Sequence, residues 1–236
     1  MKSVINPRVF INESHSNVSW LRDVILGGQD GLVNVLGIVL GVAAASTDTK
    51  ILITASLAAA FAEAVSMAAV AYTSSLAERD HYKKEVEKER QEIIDTPEDE
   101  RNEVRDIYKR KGFEGKLLEE IVSNVTSNND KWLISLTREE LGLSQIETKT
   151  ILSSSAIVGV AALVASFIPI LPFFFLPHGT AILASLTLSG LALFTIGAYE
   201  AKTYVGNWLK NGFQMLIIGL GAAFIGFLIG NIFKVE

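Results

Sequence analysis

Apolar residues run along this chain in five long blocks with almost no interruption. Residues 24–46 (VILGGQDGLVNVLGIVLGVAAAS) hold one charge, Asp30, and residues 51–77 hold one, Glu63. Residues 150–171, 179–199 and 211–233 hold none. A helix needs ~20 mostly apolar residues to cross the hydrocarbon core, so the pattern predicts five transmembrane helices. Between the second and third blocks the pattern inverts. Residues 78–149 carry 14 of the 21 Lys+Arg and 19 of the 26 Asp+Glu, and only 14 charged side chains are spread over the other 164 positions. The expected fold is all-α: five transmembrane helices with a small acidic helical domain inserted between the second and third. The expected parts are an N-terminal tail (1–20), helices 1–2 (21–77), the polar domain (78–147) and helices 3–5 (148–236).

The placement of Lys and Arg predicts the orientation. Five spans put the tail, the polar block and the loop at 200–210 on one side, with Lys2, Arg8, Arg22, Lys202 and Lys210 besides the block itself. Lys50 and Lys234 fall on the other. The N-terminus and the polar domain are therefore expected in the cytosol and the C-terminus on the far side. The first 20 residues are polar, so no cleaved signal peptide is expected. The three prolines of IPILPFFFLPH (168–178) are expected to stop the third span and form a short uncharged turn. Glycines recur at four-residue spacing: Gly27 and Gly31, Gly37 and Gly41, Gly226 and Gly230. Such pairs let helices pack closely in lipid, either within the chain or between two copies.

Composition removes several classes of function. Cysteine is absent, which excludes disulfides, thiolate metal sites and a cysteine nucleophile. A net charge of −5 argues against a nucleic-acid partner. No GxxxxGK[ST] or GxGxxG motif occurs.

Within the polar block, residues 76–95 are strong helix formers without Pro or Gly, and they are expected to continue directly out of the second span. Thr96 is expected to cap a helix from Pro97 to Lys111, with Gly112 as its stop. Further helices are expected at 116–126 and from Asp130 to Leu141–Gly142. Glu85, Glu89 and Glu92 follow i, i+4, i+7 and share one helix face, and Glu100 and Glu103 are i, i+3 on the next helix. Stacked like charges repel unless a cation lies between them. A divalent ion such as Mg²⁺, Mn²⁺ or Fe²⁺ accepts such an oxygen-rich shell. The alternative is a solvated face neutralised by Lys84, Lys88 and Arg105.

Asp30 and Glu63 are the more telling charges, because a carboxylate at mid-span costs ~2.5–3.5 kcal/mol even on gentle insertion scales. Such residues face a bundle interior and mark an ion or proton path. Asn34 lies one turn after Asp30. Met67 lies one turn after Glu63 and offers either a thioether ligand for a transition metal or ordinary packing.

These residues bring out a likeness. DGLVNVLGIVLGV (30–42), AEAVSMAAVAYTSS (62–75), the HY…E…E..E run (81–92) and REELGL (138–143) together resemble the vacuolar iron transporter family, over nearly the whole chain after residue 20. The resemblance implies a homodimeric, proton-coupled antiporter that moves Fe²⁺ and often Mn²⁺ out of the cytosol, with Co²⁺ or Zn²⁺ as further candidates and no fixed cofactor. It implies a cytosolic metal site at Glu89, Glu92, Glu100, Glu103 and Glu140, and a pathway through Asp30 and Met67. Two positions depart from the plant pattern. The pore glutamate falls on Ala59, with Glu63 one turn later, and a methionine pair of the cytosolic site falls on Leu136 and Thr137. The membrane would be the plasma membrane in a prokaryote and the vacuolar membrane in a eukaryote. The competing reading is a membrane-anchored metal sensor or storage protein without transport. An enzyme is not expected: a di-iron carboxylate oxidase uses two Glu-x-x-His motifs, and only Glu78 with His81 fits.

Overall fold

The structure, a computed structural model, describes residues 16–139, 148–204 and 206–234. Helices account for nearly all of them: α1 (Ser16–Ala45), α2 (Thr49–Asp95), α3 (Pro97–Arg110), α4 (Gly115–Val125), α5 (Asn129–Glu139), α6 (Thr148–Ile170), α7 (Pro172–Phe175), α8 (His178–Tyr204) and α9 (Trp208–Ile232). Five of these, α1, α2, α6, α8 and α9, are long and apolar enough to cross a membrane. Contacts divide the chain into two compact units, one of Met1–Tyr72 with Leu152–Glu236 and one of Thr73–Ile151.

In the first unit α1 runs through the packing. Val35, Val39 and Ala43 of α1 form a buried cluster with Leu52 and Ala60 of α2, Ile170, Phe173 of α7 and Ala181 of α8. Leu36 and Leu40 pack with Ala223 of α9. Lipid offers no hydrophobic drive between helices, so close backbone approach has to supply the contact energy. The glycine pairs do this within the chain. A methyl on Gly226 or Gly230 would collide with the carbonyl of Gly37 or Gly41, and one on Gly27 or Gly31 with the carbonyl of Val158 or Ala162 on α6. Of the two roles the spacing allowed, the first three-dimensional use of these glycines is therefore intrachain packing. Large apolar side chains on the other faces, among them Leu183, Leu191, Ile217, Phe224 and Phe227, are exposed, as suits contact with lipid.

The third span ends among the prolines as expected, and the turn holds one short helix. Pro169 lies inside α6, which ends one residue later at Ile170. Proline removes the hydrogen bond to the carbonyl four residues back, and so near the end only the last turn bears the loss. Pro172 then opens the short helix α7. His178, at the start of α8, places Nε2 3.3 Å from the Ala43 carbonyl. At the other end of the unit, Ser154 Oγ donates to Asp23 Oδ2.

The second unit holds the charged stretch of α2 with α3, α4 and α5. Its core joins Ile93, Val104, Ile107, Leu118, Val122, Trp132, Leu133 and Leu136. Trp132 is thus core rather than a membrane-interface residue, whereas Trp20 and Trp208 are exposed. α2 runs unbroken to Asp95. Thr96 does not cap α3 with its side chain; its hydroxyl donates back to the Glu92 carbonyl at 3.2 Å. Serine and threonine choose between these two local bonds, and here the hydroxyl closes the preceding helix. Gly112 ends the α3 segment with a φ of 90°, a conformation that favours glycine. The expected end of the last helix, Leu141–Gly142, lies outside the described residues.

Candidate metal pathway and glutamate face

In the first unit the sequence places Asp30 and Asn34 one turn apart on α1, and the fold brings α2 to them. Asn34 Nδ2 donates to Asp30 Oδ2 at 3.3 Å. Glu63 on α2 lies near both and interacts with Asp30 and Asn34. Asp30 and Glu63 are half-buried and Asn34 is exposed. The approach depends on small residues beside each polar one. Gly31 follows Asp30 and meets the Ala162 backbone of α6, while Gly159 of α6 would meet Ala64 and Ala68 of α2 if it carried a methyl. Ala64 follows Glu63, and Ala68 follows Met67. Met67 is half-buried and shares the helix face of Glu63 one turn on. Ala59, one turn before Glu63, has no ligating group. The carboxyl group that meets Asp30 therefore comes from position 63. Two carboxyl groups this close repel as bare anions, and a shared proton or a bound cation removes the repulsion.

The glutamate face of the second unit is built differently. Glu89 is 3% exposed, and its Oε2 is buried without a hydrogen-bond partner. Burial raises its pKa above the ordinary carboxylate value, with Glu92, Glu103 and Glu85 adding to the rise and Lys88 opposing it. Its neighbours on α2 are engaged at the surface: Glu92 pairs with Lys88 at 3.3 Å, and Glu85 lies 3.7 Å from His81 Nδ1. On α3, Glu100 is 4% exposed and Glu103 is exposed. Arg105, one of the three cations named above as neutralising partners for this face, pairs instead with Glu119 at 2.9 Å. Glu140 lies outside the described residues. Among the described residues, no three acidic or histidine side chains are gathered closely enough to hold a metal ion. Leu136 and Thr137 are both buried, and the Thr137 hydroxyl is spent on the Leu133 carbonyl at 2.7 Å.

An intramembrane carboxyl pair between the first two of five spans, with a glutamate-bearing helical unit after them, is the setting in which the match to known proteins has meaning. The VIT family model matches residues 21–231. The chain belongs to the VIT family. It is 32% identical over 213 residues to vacuolar iron transporter 1 of Arabidopsis thaliana, covering 90% of this chain and 85% of that one. It is 31% identical over 200 residues to vacuolar iron transporter 1 of Tulipa gesneriana, covering 84% and 81%. Protein CCC1 of Saccharomyces cerevisiae is more distant, 24% identical over 212 residues, covering 86% and 66%. Membership of the VIT family and five long apolar helices make this chain an integral membrane protein.

Proposed function

We propose that this protein exports Fe²⁺, Mn²⁺ or both from the cytosol by antiport against protons, as a homodimer. The observation that carries the reading is the Asp30–Asn34–Glu63 group. Three polar side chains lie together in apolar runs that hold no charge besides Asp30 and Glu63, and an insertion cost of that size is met where an ion has to pass. Two carboxylates match the charge of a divalent ion, and their oxygens with the Asn34 amide replace part of its water shell. Met67 adds a thioether one turn away, which biases the site toward transition metals over Mg²⁺ or Ca²⁺. The metal here is the cargo.

The polar unit is the cytosolic collector in this reading, with Glu89, Glu92, Glu100, Glu103 and Glu140 as its ligands. The buried, unpartnered oxygen of Glu89 supports it, because a divalent ion is a partner that would satisfy such an atom. The homodimer comes from the resemblance and gains support from α1. Asn34 is exposed and opens on an apolar groove of about 590 Å³ along α1 and α9, lined by Val33, Gly37, Ile38, Ala222 and Ile225 among others. An amide facing lipid is unfavourable, and a second copy would cover it. The cytosolic side for the N-terminus and the polar unit follows from the Lys and Arg distribution.

Purified protein in sealed liposomes tests the reading with Fe²⁺, Mn²⁺, Co²⁺ and Zn²⁺, with and without a pH gradient. Gradient-driven flux of Fe²⁺ or Mn²⁺ is the expected result. Absence of flux for every metal, from protein that still binds metal, would favour the sensor or storage reading instead.

A further inference from the structure

The membrane unit contains a second polar pocket, on another side of α1. α1, α8 and α9 form a half-open pocket of about 290 Å³ lined by Gln29, Glu200, Asn211, Gln214, Met215 and Ile218. Glu200 is half-buried near the end of α8. The side chains of Gln29, Glu200, Asn211 and Gln214 form no hydrogen bond or ion pair among the described residues. Four polar groups so placed are solvated by water or hold something. A water takes up ~30 Å³ of liquid, so several fit in the cavity.

We propose that Glu200 carries the coupling proton, in a pocket separate from the metal's carboxyl pair. The inference rests on the antiport reading above. Charge decides between proton and metal. Glu200 is the one titratable residue lining the pocket, and a single carboxylate leaves a divalent ion half-neutralised, whereas one proton neutralises it fully. Of the other charged groups on the surrounding helices, Lys202 of α8 lines a different cavity, Asp30 of α1 faces Glu63 and Asp23 takes the Ser154 hydroxyl, while Arg22 of α1 and Lys210 of α9 are exposed. The three amides suit a group that changes charge. An amide donates to a carboxylate through its NH₂ and accepts from a carboxylic acid through its carbonyl, so both states of Glu200 find partners. Gln29 and Asp30 are consecutive on α1, which ties the proton pocket and the metal pair to movement of one helix. The proton binds a Glu200 carboxylate oxygen in one phase and leaves it in the other, and metal travels by Asp30 and Glu63.

The test is Glu200→Gln in the full-length protein in liposomes, with Glu200→Asp beside it. Metal flux is followed together with internal pH through a trapped pH-sensitive dye. In the wild type, metal movement changes internal pH and a pH gradient accelerates metal flux. Glu200→Gln is expected to lose both effects while metal-for-metal exchange continues, which also shows that the variant is folded; Glu200→Asp keeps part of the coupling. A Glu200→Gln protein that couples as the wild type does would overturn the assignment and leave antiport standing. Loss of metal exchange as well, in protein with an unchanged thermal midpoint, would put Glu200 on the metal's path and also overturn it. Wild-type protein that moves metal without protons would remove antiport and the Glu200 role together.

Discussion

The two sets of acidic residues solve the same electrostatic problem in opposite ways. In the membrane unit Asn34 donates to Asp30 and Glu63 lies beside both, on helices whose small residues allow backbone contact. In the polar unit the glutamates are dispersed. Glu92 is paired with a lysine, Glu103 is exposed, and Glu89 is buried with one oxygen unbonded. A membrane leaves no water to solvate an unpaired carboxylate, so a site there is assembled in advance. A water-exposed unit tolerates scattered carboxylates. On the reading proposed above, the contrast corresponds to a preassembled station in the first unit and an adaptable one in the second.

The largest expected effect separates the two regions directly. Asp30→Ala is expected to abolish metal flux while metal binding by the full-length protein, measured by titration calorimetry, largely persists through the glutamates. Loss of both together would mean that the regions do not act as separate sites.

A packing change is expected to be next in size and to strike the membrane unit alone. Gly226→Val drives a branched side chain into the Gly37 carbonyl, and overpacking of this kind costs ~1–3 kcal/mol. The thermal midpoint in detergent should fall while fluorescence of the buried Trp132, with Trp20 and Trp208 changed to Phe, reports the polar unit unchanged.

The smallest effect belongs to Glu89. Its folded pKa is raised, chiefly by burial, so its protonated form is the one the fold favours. The stability it contributes is present below the unfolded carboxylate pKa and is lost as pH rises through the folded value. Without metal, stability of the polar unit should therefore decline as pH rises from that window toward neutrality. Glu89→Gln should remove that decline, because an amide does not ionise, and raise stability slightly at neutral pH. The same change should weaken stabilisation by added Mn²⁺. Denaturant titration followed by Trp132 fluorescence, with and without Mn²⁺, measures all three.

The five spans were legible from apolar run lengths alone, and the unbroken passage of α2 into the charged region followed from the lack of Pro or Gly between 76 and 95. Asp30 and Glu63 stood out because a charge in an apolar run is expensive wherever it is found. Other features needed three dimensions. Spacing marked the glycine pairs but not their partners, which are backbone carbonyls on α6 and α9. The hydroxyl of Thr96 had two local acceptors open to it, and spacing does not choose between them. Glu200 was passed over because it falls just beyond the uncharged run 179–199, and its amide neighbours come from two other helices. In hindsight Gln29, Asn211 and Gln214, amides in or next to apolar runs, were the available signal.

The central claim is that Asp30 and Glu63 act as one ion site. A double-mutant cycle on gradient-driven Mn²⁺ flux tests it most directly, with Asp30→Asn, Glu63→Gln and the double variant measured in the same liposomes. Residues that act as a unit are strongly non-additive. The account predicts that each single change costs nearly as much flux as the pair. Independent effects that multiply in the double variant, or a Glu63→Gln protein with wild-type flux, would contradict it.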